Sequence, residues 1–250
     1  MTVELFDAQV GILGAKPGAR DIVTPDDLLA VMDRFGIGRA LVRIAPPDLE
    51  TDVVLSNSKL YEACARDGRL VPCPVVVPNT AGDLPSEGEQ VADAIARGAG
   101  AVWARFEADG WLPAAWISDR IFSALAERRI PVFVTAPMLP PPRLAEIADR
   151  FPDLPLIYAE VGYRDQRVLL ALLERFSSVH LSIGYNYRVQ GGIEQLTERV
   201  GARRLLFGTG FAQSEPMGTV MQLLCADLSE QQKRQIGCEN LQHLMGGIRR

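Results

Sequence analysis

Three charged residues stand at the ends of apolar runs, where a side chain leaves a hydrophobic core and meets solvent: Arg43 in ALVRI, Arg105 in AVWARFE and Glu160 in LIYAEVG. An arginine keeps its charge when partly buried and offers a planar fork to carboxylates. A glutamate in the same place can take up or release a proton. The set supports two readings. In one, Arg43 or Arg105 clamps a small anionic molecule and Glu160 is the acid or base. In the other, arginine and glutamate pair with each other and plug the site, because a buried charge without a partner is costly. The residue types alone leave both open.

Other side chains could line the same place. Gln9 and Thr135 can donate and accept hydrogen bonds, although each also reads as a space-filling residue. Tyr185, in SIGYNYRVQGG, either lines a pocket or belongs to a turn. Trp111, in ADGWLPAAW, is the candidate lid. Gly208 and Gly210, in FGTGF, would let an anion approach backbone N–H groups closely. No base is evident beside Thr135 or Ser182 to make either hydroxyl a nucleophile. The chain has only two histidines, His180 at the start of one apolar run and His243 near the C-terminus.

Residues so placed need a scaffold that brings strand ends together. Strand-like runs cover Val3–Val10, Arg39–Ile44, Arg69–Val77, Ala101–Glu107, Pro131–Ala136, Pro155–Val161, Val179–Gly184 and Arg204–Gly210. Most are continuously apolar, as in parallel strands covered on both faces. Amphipathic helical patterns lie between them. TPDDLLAVMDRFGIG has Thr24 as N-cap, Pro25 at the first helical position and Gly36 as terminator. SDRIFSALAERR is read as starting at an N-cap Ser118, and PPRLAEIADRF, DQRVLLALLERF and GIEQLTERVG follow the same plan. The segment from Met217 to Met245 is helical, with interruptions near Leu228–Ser229 and at Gly237. Eight β-α units with no Ser/Gly-rich linker predict an α/β fold, a single (β/α)8 TIM-type barrel spanning residues 1–250. The active site of such a barrel lies at the C-terminal ends of its strands. A doubly wound open sheet is the alternative, but no glycine-rich dinucleotide loop follows the first strand.

Composition narrows the partners. With 250 residues, 48% of them hydrophobic, the chain can bury a substantial core. A net charge of −5 and the absence of a basic block argue against nucleic acid. No apolar run reaches the roughly 20 residues needed to cross a bilayer, and no secretory leader is visible. Cys64, Cys73, Cys225 and Cys238 are scattered without a C-x-x-C pair, as expected for free thiols in a reducing cytoplasm.

In chain order, the strand ends resemble the amidohydrolase superfamily, in its amidohydrolase-related branch of hydrolases and metal-dependent decarboxylases. FDAQVG stands where the family has Asp-x-His-x-His. RLVPCPVVVP, GAVWARFEADGW and FSALAERRIPVFVTAP follow in order. PLIYAEVGY replaces an apolar run with His and Gly, and RLLFGTGFAQSEP replaces Phe-Gly-Ser-Asp with a following Pro. The tail ENLQHLMG resembles the family's closing Asn-Ala-x-x-Leu. The resemblance implies hydrolysis or decarboxylation of a small carboxylated substrate. It would put metal ligands at Gln9, Gly11, Thr135, Glu160 and Gly210, where the family has four histidines and an aspartate. Of these only Glu160 could ligate a hard cation, so the expectation is no metal and no cofactor.

Two functions then compete. The first is a metal-independent hydrolase or lyase acting on a small organic anion. The second is a catalytically inactive paralogue that binds a ligand or supports a partner, as a homodimer or with an active relative.

Overall fold

A computed structural model describes residues 3–14, 22–45 and 52–250. Its eight strands run in chain order around the fold: β1 Leu5–Ile12, β2 Ile37–Ile44, β3 Leu70–Pro72, β4 Val102–Trp103, β5 Val132–Thr135, β6 Leu156–Ala159, β7 Val179–Ile183 and β8 Leu205–Phe207. All ladders are parallel. They form a sheet of β1-β2-β3 and a sheet of β4-β5-β6-β7-β8. Isolated bridges span both seams, Val75 to Trp103 and Val10 to Phe211. This is the (β/α)8 architecture.

Each strand falls inside or beside its expected run, but β3 to β8 are shorter, most of all β3, β4, β6 and β8. The reasons are local. Pro72 and Pro74 lack the N–H that would extend β3 on one side. Phe106 has φ of 37° and opens a 3-10 turn that ends β4 early. Glu160 has φ of 59°, which takes the chain out of β6.

The helices begin and end as their caps dictate. Helix α1 (Pro25–Phe35) has the Thr24/Asp27 capping box and stops at Gly36 in the left-handed region. Helices α2 (Val53–Cys64) and α3 (Glu87–Ala96) are capped by Asp52 and Ser86. Helix α4 (Ala115–Arg128) departs from expectation: Ser118 lies inside it, and its hydroxyl donates back to the Ala114 carbonyl. Ser118 is thus an i−4 back-bonding residue and not the N-cap. Helices α5 (Pro141–Arg150), α6 (Gln166–Arg175) and α7 (Gly192–Val200) follow their patterns.

The C-terminal segment divides into α8 (Met217–Leu224), α9 (Glu230–Arg234), a π-helical turn (Gln235–Glu239) and α10 (Asn240–Gly246). The break near Leu228–Ser229 is present. Gly237 does not interrupt the helix; it widens it by one residue. A Cβ on Gly237 would lie 2.8 Å from the Glu4 carbonyl oxygen, so the missing side chain lets this turn pack on β1. Asn240, directly after the π-helical turn, is buried and donates to the Ala202 and Leu205 carbonyls at 2.8 and 2.7 Å. That explains the asparagine of the ENLQHLMG tail: it ties the last helix to the start of β8.

The Asn240→Ala variant leaves both buried carbonyls without this donor. It should lose about 3 kcal/mol of unfolding free energy, read as a lower urea midpoint at unchanged slope. A loss below about 1 kcal/mol would show that the tie is dispensable.

Candidate functional site

Strand register decides which side chains meet at the mouth. Trp103 pairs with Phe133, Phe133 with Ile157, and Thr135 with Ala159, so these share one face. Gly11 pairs with Arg43, which shares the parity of Leu41 opposite Val71. That face is the barrel interior, because bonds across it join strands that are not neighbours. The Arg43 Nη2 of β2 donates to Glu160 Oε1, just past β6, at 2.9 Å. β2 and β6 lie four strands apart in the eight-strand order, on opposite sides of the barrel, so this bond crosses the mouth.

Arg43 is 5% exposed. Its guanidinium carbon lies 4.8 Å from the ring centroids of both Trp103 and Phe133. The two π faces and the Glu160 carboxylate replace the water the charge has lost. Its Nε is buried and has no hydrogen-bond acceptor.

Glu160 reaches Arg43 against the simple alternation rule. Counting from Ala159, which faces in, residue 160 should face out. Its left-handed backbone ends the strand and turns the side chain over the mouth. A non-glycine residue there is strained, by about 1–3 kcal/mol, and strain of this kind collects at functional sites. The Asn186 side-chain amide donates to the Glu160 carbonyl at 3.5 Å.

Arg105 also faces inward, 5.5 Å from the Trp103 centroid, but its fork is taken. Nε and Nη2 donate to the two carboxylate oxygens of Asp109 at 2.8 and 2.5 Å, and both side chains are almost fully buried. Arg43 and Glu160 are thus brought together, whereas Arg105 is held by its own loop.

Trp111, expected as a lid, is a loop anchor instead. It is buried, its ring centroid is 4.6 Å from that of Phe106, and it packs on Phe122. These two aromatic rings fix it from the core side, so it cannot swing without unpacking the β4 loop. Trp116 is the exposed tryptophan.

On the opposite wall, glycines give space to larger neighbours. Gln9 is fully buried; its Oε1 accepts from Ser182 at 3.2 Å, and its Nε2 has no acceptor. A Cβ at Gly184 would meet Gln9 Oε1 at 2.6 Å, and one at Gly208 would meet Ser182 Oγ at 2.2 Å. Gly210 has φ of 75°, and a Cβ there would lie 2.1 Å from the Tyr185 ring. Tyr185 therefore sits over Gly210. Burial first, and then the Glu160 charge, raise its phenol above the ordinary value. A Cβ at Gly11 would lie 2.7 Å from the Ala45 Cβ. Thr135 is buried at the end of β5 on the same face as Phe133.

Asp7 escaped the sequence reading as a site residue. It is buried and accepts from the Gln9 and Thr209 backbone N–H groups, each at 2.9 Å, and bonds to the Thr209 hydroxyl at 2.5 Å. It joins β1 to the end of β8, where Gly210 N donates to the Gln9 carbonyl and the ladder is otherwise irregular. Burial pushes its carboxyl up to about 6, against the hydrogen bonds and the Arg43 charge. Its place two residues before Gln9 was visible in FDAQVG, but the bond to Thr209 was not.

Among the described residues, no group of three or more His, Cys, Asp or Glu side chains is placed to hold a metal ion. No helix among them is long and apolar enough to cross a membrane.

Comparison with known proteins gives the family. An amidohydrolase family model matches residues 7–240. The chain belongs to the amidohydrolase family. No curated protein matches it. Solved structures do. A 5-carboxyvanillate decarboxylase from Novosphingobium aromaticivorans, complexed with manganese and 4-hydroxy-3-methoxy-5-nitrobenzoic acid, is 14% identical, with a TM-score of 0.79 over 97% of this chain and 96% of that one. A 2,6-dihydroxybenzoate decarboxylase from Rhizobium is 13% identical, with a TM-score of 0.76 over 98% and 99% of the two chains. A 5-carboxyvanillate decarboxylase from Sphingomonas paucimobilis is 10% identical, with a TM-score of 0.72 over 98% and 99%. At these identities the likeness establishes the shared barrel.

The position of Asp7 gives a pH prediction for this amidohydrolase. Its folded-state value of about 6 lies above the ordinary 3.8. Its contribution to stability is therefore full below about pH 4 and is lost as pH rises through about 6. Asp7→Asn mimics the protonated carboxyl: Oδ1 accepts both N–H groups and Nδ2 donates to the Thr209 hydroxyl. In urea titrations from about pH 4 to about pH 7, the difference between variant and wild type should shift in favour of the variant. A pH-independent difference would mean that Asp7 ionises freely.

Proposed function

We propose that this amidohydrolase is a metal-independent hydrolase or lyase that acts on a small organic acid held at the C-terminal mouth of the barrel. The observation that carries the reading is Arg43: a buried guanidinium, walled by Trp103 and Phe133, paired across the mouth with Glu160, with one N–H still unclaimed. In this reading Arg43 fixes the substrate carboxylate and Glu160 transfers the proton. Arg105, 5.5 Å from the Trp103 centroid, supports that wall. Gln9 presents its unused amide N–H to the interior, and Tyr185, Thr135, Gly208 and Gly210 shape the remaining surface.

The residues at the family's ligand positions do not suit a metal. A catalytic dication needs about three converging side-chain ligands and one open position. Gln9 and Thr135 are neutral and weak, and Glu160 is engaged by Arg43. The two glycines bring no ligand, and the space beside them is occupied by Ala45 and Tyr185. The charge that organises the mouth is then the guanidinium, and no step of the reaction is assigned to a metal.

The deciding experiment is a turnover assay of untagged protein against a panel of small aromatic and aliphatic carboxylic acids and their esters and lactones, with elemental analysis of the same sample. At least one compound should turn over at a rate unchanged by EDTA. Arg43→Met and Glu160→Gln should each lower kcat/KM at least about 100-fold, the scale of a lost acid–base or charge-stabilising group. Loss of activity in EDTA with about one zinc, manganese or iron per chain would overturn the metal-independent reading. No turnover of any compound would overturn the enzymatic one.

Histidine at the first-strand positions should not rebuild a metal centre. A side chain at residue 11 must displace Ala45, whose backbone lies only 3.2 Å from the new Cβ. The Gln9→His, Gly11→His double variant should bind less than about 0.1 zinc per chain, since two ligands fall short of the usual three. Stoichiometric zinc together with new metal-dependent turnover would show an otherwise intact ligand set.

A further inference from the structure

Arg43 carries more donors than Glu160 uses. Nη2 and Nε lie on the same edge of a guanidinium, and a carboxylate that docks squarely takes both. Glu160 accepts only from Nη2, at 2.9 Å, and the buried Nε is left without an acceptor. A second buried donor, Gln9 Nε2, is also unclaimed. Unpaired buried N–H groups are rare and costly. These two belong to inward-facing side chains.

The neighbouring pair shows what a closed arrangement looks like. Asp109 takes the whole Nε–Nη2 edge of Arg105, so that only the far Nη1 lacks an acceptor, and both side chains are sealed, at 1% and 2% exposure. Glu160 keeps 17% of its side chain exposed, makes one bond, and rests on a backbone with φ of 59°. Of the two carboxylates, only Glu160 can leave its arginine without burying a bare charge.

We infer that Glu160 is an internal placeholder for the carboxylate of the incoming acid. The acid takes the Nε–Nη2 edge of Arg43 with both oxygens, and Glu160 swings off into the partly open mouth beside it. This rests on the reading of Arg43 as the anion clamp, and adds that the empty site is held shut by its own proton-transfer residue. Binding then does two things at once. It fills the unused donor of Arg43, and it frees Glu160 from the cation that neutralised it, at the moment a substrate lies next to it. The ligand class is a small monocarboxylate; a flat, fork-matching oxyanion suits the edge better than a spherical halide.

Benzoate and acetate are suitable probes, followed by calorimetry and by the arginine Nε–Hε resonance of Arg43. Both should bind wild type, with a saturable shift of that resonance. Glu160→Gln should tighten binding about tenfold, the difference between displacing a charge-assisted and a neutral hydrogen bond. Glu160→Gly suits a positive φ, and carries the test if the glutamine variant misfolds by circular dichroism; it too should bind more tightly. Arg43→Met should abolish binding. Weaker binding by the Glu160 variants would make Glu160 a support that positions Arg43, and would overturn the placeholder. Unchanged affinity in those variants, with loss only in Arg43→Met, would overturn it as well while leaving the clamp standing. No binding of either probe to wild type or the Glu160 variants would remove the clamp reading and this inference together.

Discussion

A guanidinium that cannot release its proton, buried at the mouth of a barrel, constrains everything around it. Arg43 must be met by an anion and by surfaces that tolerate a cation. The anion comes from the opposite side of the barrel, and the surfaces are the inward faces of β4 and β5. One charge thereby draws Trp103, Phe133 and Glu160 around it, and explains why Glu160 stands in a conformation few glutamates adopt. The chain tolerates that backbone because relaxing it would strand a buried arginine, a loss on the order of 3–5 kcal/mol.

The opposite wall is governed by space. Gly184, Gly208 and Gly210 line β7 and β8 where Gln9, Ser182 and Tyr185 need room. Asp7 holds the β1–β8 seam in place of a regular ladder, through the backbone N–H and the hydroxyl of Thr209, while the Gln9 N–H fixes its carboxylate from within β1. Desolvation dominates its raised value, and the Arg43 charge opposes that rise less than the hydrogen bonds do.

The barrel was legible because its signals are local or periodic: eight apolar runs, capped amphipathic helices and a fixed order. The positions of Arg43, Arg105 and Thr135 on the inner face also followed from strand parity. Glu160 reached the mouth for a different reason, since parity would have sent it outward and a positive φ brought it back. No residue type marks that turn, because the residue is not glycine. Asp109 as the partner of Arg105 was readable in principle as an i,i+4 pair, but the 3-10 turn that closes it lies where a strand was expected. Trp111 misled as a lid because loop membership says nothing about what packs beneath a ring. Asp7 was hidden because its partner is about 200 residues away in sequence, as the pairing Asp7–Thr209 requires.

The two arginines are not independent, because they face one indole. Trp103 has the Arg43 carbon at 4.8 Å and that of Arg105 at 5.5 Å from its centroid. Two cations around one ring repel each other, and with a dry surrounding that repulsion is weakly screened. Each therefore needs its own carboxylate, and the site supplies Asp109 and Glu160. The pairs divide the work by geometry. Asp109, four residues from Arg105 on the same turn, is held by two bonds and sealed, so the Nε–Nη2 edge of that arginine is already occupied. Glu160 comes from another strand, makes one bond and keeps access to solvent. Removing its neutralising contact exposes Arg43 to an anion while Arg105 stays silent. The asymmetry between two otherwise similar ion pairs is what gives the mouth one exchangeable positive charge, at the place where the barrel has room to use it.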